Sequence, residues 1–185
     1  MLRAVALSLV LAATAACSAA EDKAADNDDP RAVYAAKYQD KILPNLKLAD
    51  VNGDAADMVG ADYDGKKPLI VNLWATWCTP CVKEMPSLYK LQQSGKAYVV
   101  AVTTDRMQDR ITTFLSEHNL KDLNVRWDRG SKTLREAGFA VPALPVTFIL
   151  TPAKDGGYMV RSTEMGEREW DHPTMWEKIV KVTGE

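Results

Sequence analysis

A chain of 185 residues, 46 % of them hydrophobic, fits one buried core plus a short extra segment. The formal net charge of −2, with no basic stripe along the chain, argues against a nucleic-acid partner. Three cysteines are too few for a disulfide-rich scaffold, and they divide into Cys17 alone and the close pair Cys78 and Cys81.

Residues 1–20 have the form of a signal peptide. Arg3 gives a positive start, and residues 4–16 make an apolar run shorter than the roughly 20 residues of a membrane span. A buried first helix is the competing reading, but the run has no polar face. Cys17 closes the run in Thr14-Ala15-Ala16-Cys17, which resembles a bacterial lipoprotein signal whose Cys carries the lipid. That pattern prefers Leu where Thr14 stands, and ordinary cleavage after a small residue such as Ala20 is the alternative. Residues 21–34 are acidic and Ala-rich, with no large apolar side chain before Val33, so a solvated tether is expected there and a globular domain over 35–185.

No internal repeat is found. Leu46, Leu48 and Val51 alternate with polar residues ahead of Asn52-Gly53, a hairpin signal. Residues 69–74, nearly all apolar and preceded by Lys66-Lys67-Pro68, suit a strand buried on both faces. A helix is predicted over 80–94, with Pro80 in its first turn, Met85, Leu88 and Leu91 on one face, and a kink at Pro86. A second buried strand follows at 97–103. Next come a helix over 106–119 with Ile111, Phe114 and Leu115 inward, and an extended piece at 124–127. A short helix at 132–137 ends at Gly138. Strands are predicted at 146–150 and 158–163, and a last helix over 173–182, capped by Asp171, partly buries Met175, Trp176, Ile179 and Val180. Strands alternating with helices, then a hairpin and a final helix, give an α/β sandwich around a mixed sheet, with the early extended residues as an N-terminal hairpin.

Cys78 and Cys81 stand at i and i+3, just after a buried strand and at the start of a helix. Free N–H groups and the helix dipole there favour an anion, so a thiol loses its proton more readily, and the thiolate is the nucleophile. The spacing lets a small cyclic disulfide form and break through a mixed disulfide. Cys78 is expected to be the exposed attacking thiol and Cys81 the shielded resolving one. A structural zinc site needs about four ligands, while the chain offers two histidines, His118 and His172, both expected on the surface, and no second Cys pair. A structural disulfide across three residues would close a tiny loop and stabilise little.

The stretch Val71-Asn72-Leu73-Trp74-Ala75-Thr76-Trp77-Cys78-Thr79-Pro80-Cys81 resembles the active-site strand and loop of thioredoxins, and Val82-Lys83-Glu84-Met85-Pro86-Ser87-Leu88 narrows the likeness to the exported TlpA/ResA-like thiol–disulfide reductases of bacteria. The resemblance implies a thioredoxin fold, a redox-active Cys78–Cys81 disulfide and no cofactor or resident metal. It matches Pro145 to the family's cis-proline facing the disulfide, with Pro142 the competing candidate. It places Trp77, Thr79, Pro80 and Leu144 on a substrate-docking rim, with Trp74 equally suited to core packing. It matches Glu84 to an acid that assists proton transfer, against a plainer reading as a first-turn Glu that complements the helix dipole. Asn72 departs from the thioredoxins, which carry a buried Asp at that place, and Glu84 is positioned to take over part of that role.

The function implied is reduction of disulfides in exported proteins, for example in cytochrome c or copper-site assembly, on the periplasmic side of a bacterial membrane. Electrons would come from a membrane donor of the DsbD/CcdA type, and the membrane would be held through lipid on Cys17, or not at all in a soluble periplasmic form. The alternative from another class is a copper(I) metallochaperone using the same two soft thiolates. A peroxidase would want a lone low-pKa Cys in a different motif, and a disulfide-inserting oxidase differs only in potential and partners.

Overall fold

The computed structural model describes residues 29–184. It begins with α1 (Pro30–Tyr38), whose first half lies in the stretch expected to be a solvated tether. Asp29 caps this helix by accepting a hydrogen bond from the Arg31 N–H (2.9 Å), and Pro30 stands in the first turn, where its missing N–H costs nothing. Tyr34 and Tyr38, one turn apart, bury their rings against the sheet, and both hydroxyls donate to the Ala140 carbonyl (2.7 and 3.1 Å). The packed domain therefore includes Pro30, not only residue 35 onward.

The remaining elements follow as β1 (Ile42–Leu43), β2 (Lys47–Ala49), β3 (Ala55–Asp57), β4 (Leu69–Trp74), α2 (Thr79–Gln93), β5 (Tyr98–Thr103), α3 (Gln108–Glu117) and β6 (Val125–Trp127). A 3-10 turn at Arg129–Ser131 then leads into α4 (Lys132–Glu136), β7 (Val146–Pro152), β8 (Tyr158–Met165) and α5 (Pro173–Thr183). The strands form one mixed eight-stranded sheet in the order β1-β8-β7-β4-β5-β6-β2-β3. β4, β5 and β6 run parallel, whereas β7, β8 and β1 are antiparallel additions on one side. The expected N-terminal hairpin is β2–β3, turned at Asn52-Gly53 with Gly53 at φ +89°, a conformation a side chain would strain. It extends the sheet by pairing Ala49 with Trp127.

Alternation along β4 divides the core. Leu69, Val71 and Leu73 face one cluster, covered by Tyr34 and Tyr38 of α1 and Leu134 of α4. Ile70 and Trp74 face the other, covered by α2, α3 and Ile179 of α5. Helix α2 runs unbroken through Pro86. The cap of α5 is His172 rather than Asp171: the imidazole accepts from the Thr174 N–H (3.3 Å), and Asp171 instead pairs with Lys90 (3.1 Å).

Candidate redox site

Cys78 and Cys81 are joined as a disulfide with Cα atoms 5.2 Å apart. The pair lies where parallel strand β4 delivers the chain to the N-terminus of α2. Cys78 is the N-cap, its Sγ accepting from the Cys81 N–H (3.3 Å) and its carbonyl from the Val82 N–H (3.0 Å). Thr79 and Pro80 form the first turn between them. Cys78 was expected to be exposed, and in the disulfide it is not: it is 6 % accessible against 0 % for Cys81. The order of the two is as expected, and Trp77, the residue before Cys78, is 66 % exposed. Trp74, in contrast, is fully buried against Phe114, with ring centroids 5.2 Å apart. The Leu144–Pro145 bond is cis, and Pro145 immediately precedes β7, whose first residue Val146 pairs with Leu73 of β4. Pro142 lies out on the exposed loop before it.

Glu84 is not a surface dipole partner. It is 2 % exposed, on the buried side of α2 one turn beyond Cys81. Its Oε1 accepts from Asn72 Nδ2 (2.7 Å), and its Oε2 accepts from the Arg168 N–H (3.0 Å) and Trp170 Nε1 (3.1 Å). Burial pushes the carboxyl up to about 6, and the hydrogen bonds from Asn72, Trp170 and Arg168 hold it from rising further. Asn72 Nδ2 also donates to Thr147 Oγ1 (2.8 Å), the residue opposite it on β7. Asn72 Oδ1 is buried with no hydrogen-bond partner among the described residues. A cleft of about 350 Å³ is lined by Lys83, Glu84 and residues 167–169.

A second buried carboxylate, Asp105 at the end of β5, escaped sequence reasoning. Its Oδ2 accepts from the Thr76 N–H (2.9 Å) and Thr103 Oγ1 (2.6 Å), and its Oδ1 accepts from Thr76 Oγ1 (2.8 Å). It thereby ties the loop ahead of Cys78 to the sheet. Its place at the carboxyl end of a parallel strand, where open α/β sheets carry their sites, was the available signal. Trp170, which completes the Glu84 cage, left no pattern in the sequence. His118 ends α3 with its ring over Phe114 (4.2 Å), and His172 caps α5, so both histidines sit at exposed helix ends away from the disulfide. Among the described residues no group of three or more His, Cys, Asp or Glu could hold a metal, and no helix is long and apolar enough to cross a membrane. Cys17 lies outside the described residues.

Residues 37–154 match the Redoxin family. This chain belongs to that family. Among its relatives, a thiol-disulfide oxidoreductase ResA of Bacillus cereus is 31 % identical over 119 residues, 63 % of this chain and 64 % of ResA. The thiol:disulfide interchange protein HelX of Rhodobacter capsulatus is 32 % identical over 130 residues, 70 % of this chain and 71 % of HelX. The chain thus spans slightly less than two thirds of the ResA it matches. The thioredoxin domain of a thiol-disulfide oxidoreductase from Bacteroides vulgatus superposes with a TM-score of 0.58 at 21 % identity, over 77 % of this chain and 97 % of that one, which establishes the thioredoxin fold. In this Redoxin-family chain the matched stretch contains both cysteines, Glu84, Asp105 and Pro145, and stops short of Arg168 and Trp170.

Proposed function

We propose that this chain is a thiol–disulfide oxidoreductase that reduces disulfides in exported proteins. The observation that carries the reading is the Cys78–Cys81 disulfide at the α2 N-terminus, with the buried Glu84 carboxyl one turn below Cys81. In the reduced form, the Cys78 thiolate attacks a client disulfide, forming a mixed disulfide and releasing one client thiolate. Cys81 then attacks the Cys78 sulfur, giving the intramolecular disulfide and the second client thiolate. Two electrons pass to the client, and the protons left by Cys78 and Cys81 end on the client thiols. Cys81 must lose its proton inside the core, where burial disfavours a charge. A carboxyl titrating near 6 is matched to accept that proton near neutral pH, and the cleft beside Lys83 gives it a route to water.

The wider setting rests on the sequence and the family likeness. Residues 1–20 support export to the periplasmic side of a bacterial membrane. Clients in cytochrome c or copper-site assembly, and re-reduction by a membrane dithiol donor of the DsbD/CcdA type, follow from the resemblance to TlpA/ResA-like proteins. Lipid on Cys17 would hold the domain at the membrane, and mass spectrometry of the mature N-terminus tests it: a diacylated Cys17 is expected, and a free terminus at Glu21 sinks the anchor. The copper(I) alternative would use the same two thiolates, to which such proteins usually add a His or Met ligand, and metal analysis after anaerobic purification separates it from the reductase.

The test of the main reading uses two variants. Cys78→Ser should abolish exchange with a disulfide peptide, and Cys81→Ser should accumulate mixed disulfides. Trapping by Cys78→Ser instead would reverse the roles, and trapping by neither would end the reading.

A further inference from the structure

Beside the disulfide lies a groove of about 710 Å³ walled by Trp77, by the β5–α3 loop and the first turn of α3, and by the loop that ends at Leu144. Among the described residues only four large hydrophobic side chains are conspicuously exposed, and two of them, Trp77 (66 %) and Met107 (55 %), line this groove. Such side chains concentrated in one concave place mark a contact surface rather than scattered surface. Two guanidinium groups, Arg106 and Arg110, stand in the same wall, both exposed. Neither side chain makes an ion pair or hydrogen bond among the described residues. The carboxylate in the groove wall, Asp105, forms no ion pair with either of them. It is 1 % exposed, and both of its oxygens are committed to Thr76 and Thr103. The whole chain carries a net charge of −2, so the two guanidinium groups are not a by-product of a generally basic chain.

We propose that the groove selects protein clients whose reacting cysteine is flanked by acidic residues. This rests on the oxidoreductase reading and adds a specificity to it. Client carboxylates pair with Arg106 and Arg110, for which the planar guanidinium fork is suited. Apolar neighbours cover Trp77, Met107 and Leu144. Trp77 is adjacent to Cys78 and Leu144 to Pro145, so a segment lying in the groove is continuous with the point of exchange. The charge pair acts chiefly on encounter, because exposed charges steer association more than they hold it.

The test uses the full chain, reduced, with two synthetic disulfide peptides that differ only in Asp against Asn beside the reacting cysteine. Second-order rate constants are read by acid quench and alkylation. The Asp peptide should react about tenfold faster, and the advantage should shrink as salt is raised, since exposed charges are screened. The doubly substituted Arg106→Glu, Arg110→Glu chain should lose that preference and favour a third peptide with Lys in the same places. Equal rates for the two peptides in the parent, or an acid preference that survives charge reversal, overturn the proposal. So does a charge reversal that speeds every peptide alike, which would mean that the acidic stretch at 21–28 of this chain competes for the groove. If the parent reduces both peptides equally, the specificity falls and the enzyme stands. If it reduces neither, the oxidoreductase reading falls, and the specificity with it.

Discussion

The two faces of β4 are built from one six-residue strand and do different things. Leu69, Val71 and Leu73 point into a purely apolar layer, where they meet Val100 and Val102 of β5, Phe148 of β7, and the rings of Tyr38 and Phe139. Ile70, Asn72 and Trp74 point to the side that carries the disulfide, and there the middle residue is polar. Asn72, Thr147 and Glu84 make a buried hydrogen-bonded chain inside an otherwise hydrophobic layer. Burying such groups stabilises a fold little, and leaving any one of them unpaired is expensive. A protein seeking stability alone would have repeated the first face on the second. The difference marks the second face as the working one.

The largest effect that tests this contrast is on the silent face. Phe148 is fully buried and packs edge-on to Phe139 (5.6 Å between centroids) and Tyr38 (5.8 Å). Phe148→Ala should cost about 3–5 kcal/mol of stability, measured by denaturant titration. Exchange per folded molecule should keep the parent's rate. A loss of exchange as large as the loss of stability would show that the two faces are not separable.

A smaller effect is expected at Asn72. Asn72→Leu keeps the approximate shape but removes the donor that does most to hold down the Glu84 carboxyl. Glu84 should then titrate above its present value of about 6. The stability cost should be roughly 1.5–3 kcal/mol where Glu84 is ionised, since a charged acceptor loses its partner, and smaller where it is protonated. Carbon NMR of the Glu84 carboxyl follows the first, and denaturant titration at two pH values the second. An equal cost at both pH values would mean that Asn72 serves packing rather than the charge.

How legible these faces were in the sequence depended on how far apart the partners are. The strand at 69–74, the helix behind it and the cysteine pair all announce themselves within a short stretch of chain, so local periodicity and spacing suffice. Glu84 was visible only as a choice between two readings, because its partners Arg168 and Trp170 lie 84 and 86 residues away. Asp105 was missed for the same reason, its contact with Thr76 spanning 29 residues. The first half of α1 falls within the acidic, Ala-rich stretch that reads as tether up to residue 34, yet Asp29-Pro30 at its start and Tyr34 and Tyr38 one turn apart are cap and face signals. The two-residue strand β1, paired with Met159 and Tyr158, is too short to leave any period at all.

The finest comparison is Glu84→Gln, which keeps the shape of the polar face and removes its charge. In the folded protein the carboxyl is raised from an ordinary 4.5 to about 6, so folding takes up a proton between those values. A group raised in this way contributes its stability in full below the lower value, and that contribution is lost as pH climbs through the upper one. The loss is about 2 kcal/mol. A glutamine cannot incur it. The amide can accept from the Arg168 N–H and Trp170 Nε1 through its oxygen, and half a turn of the Asn72 amide brings the unpartnered Oδ1 round to its nitrogen. The stability difference should therefore move by about 2 kcal/mol in favour of the variant between about pH 4.5 and about pH 7.5, read from guanidinium titrations of the oxidised proteins. Resolution of a trapped mixed disulfide should slow about tenfold above about pH 6, because Cys81 must then give its proton directly to water. Stopped-flow mixing of the reduced proteins with a disulfide peptide measures that step. Parallel stability curves together with equal resolution rates would reduce Glu84 to a buried acceptor for Arg168 and Trp170, and would leave the polar face of β4 without a chemical reason.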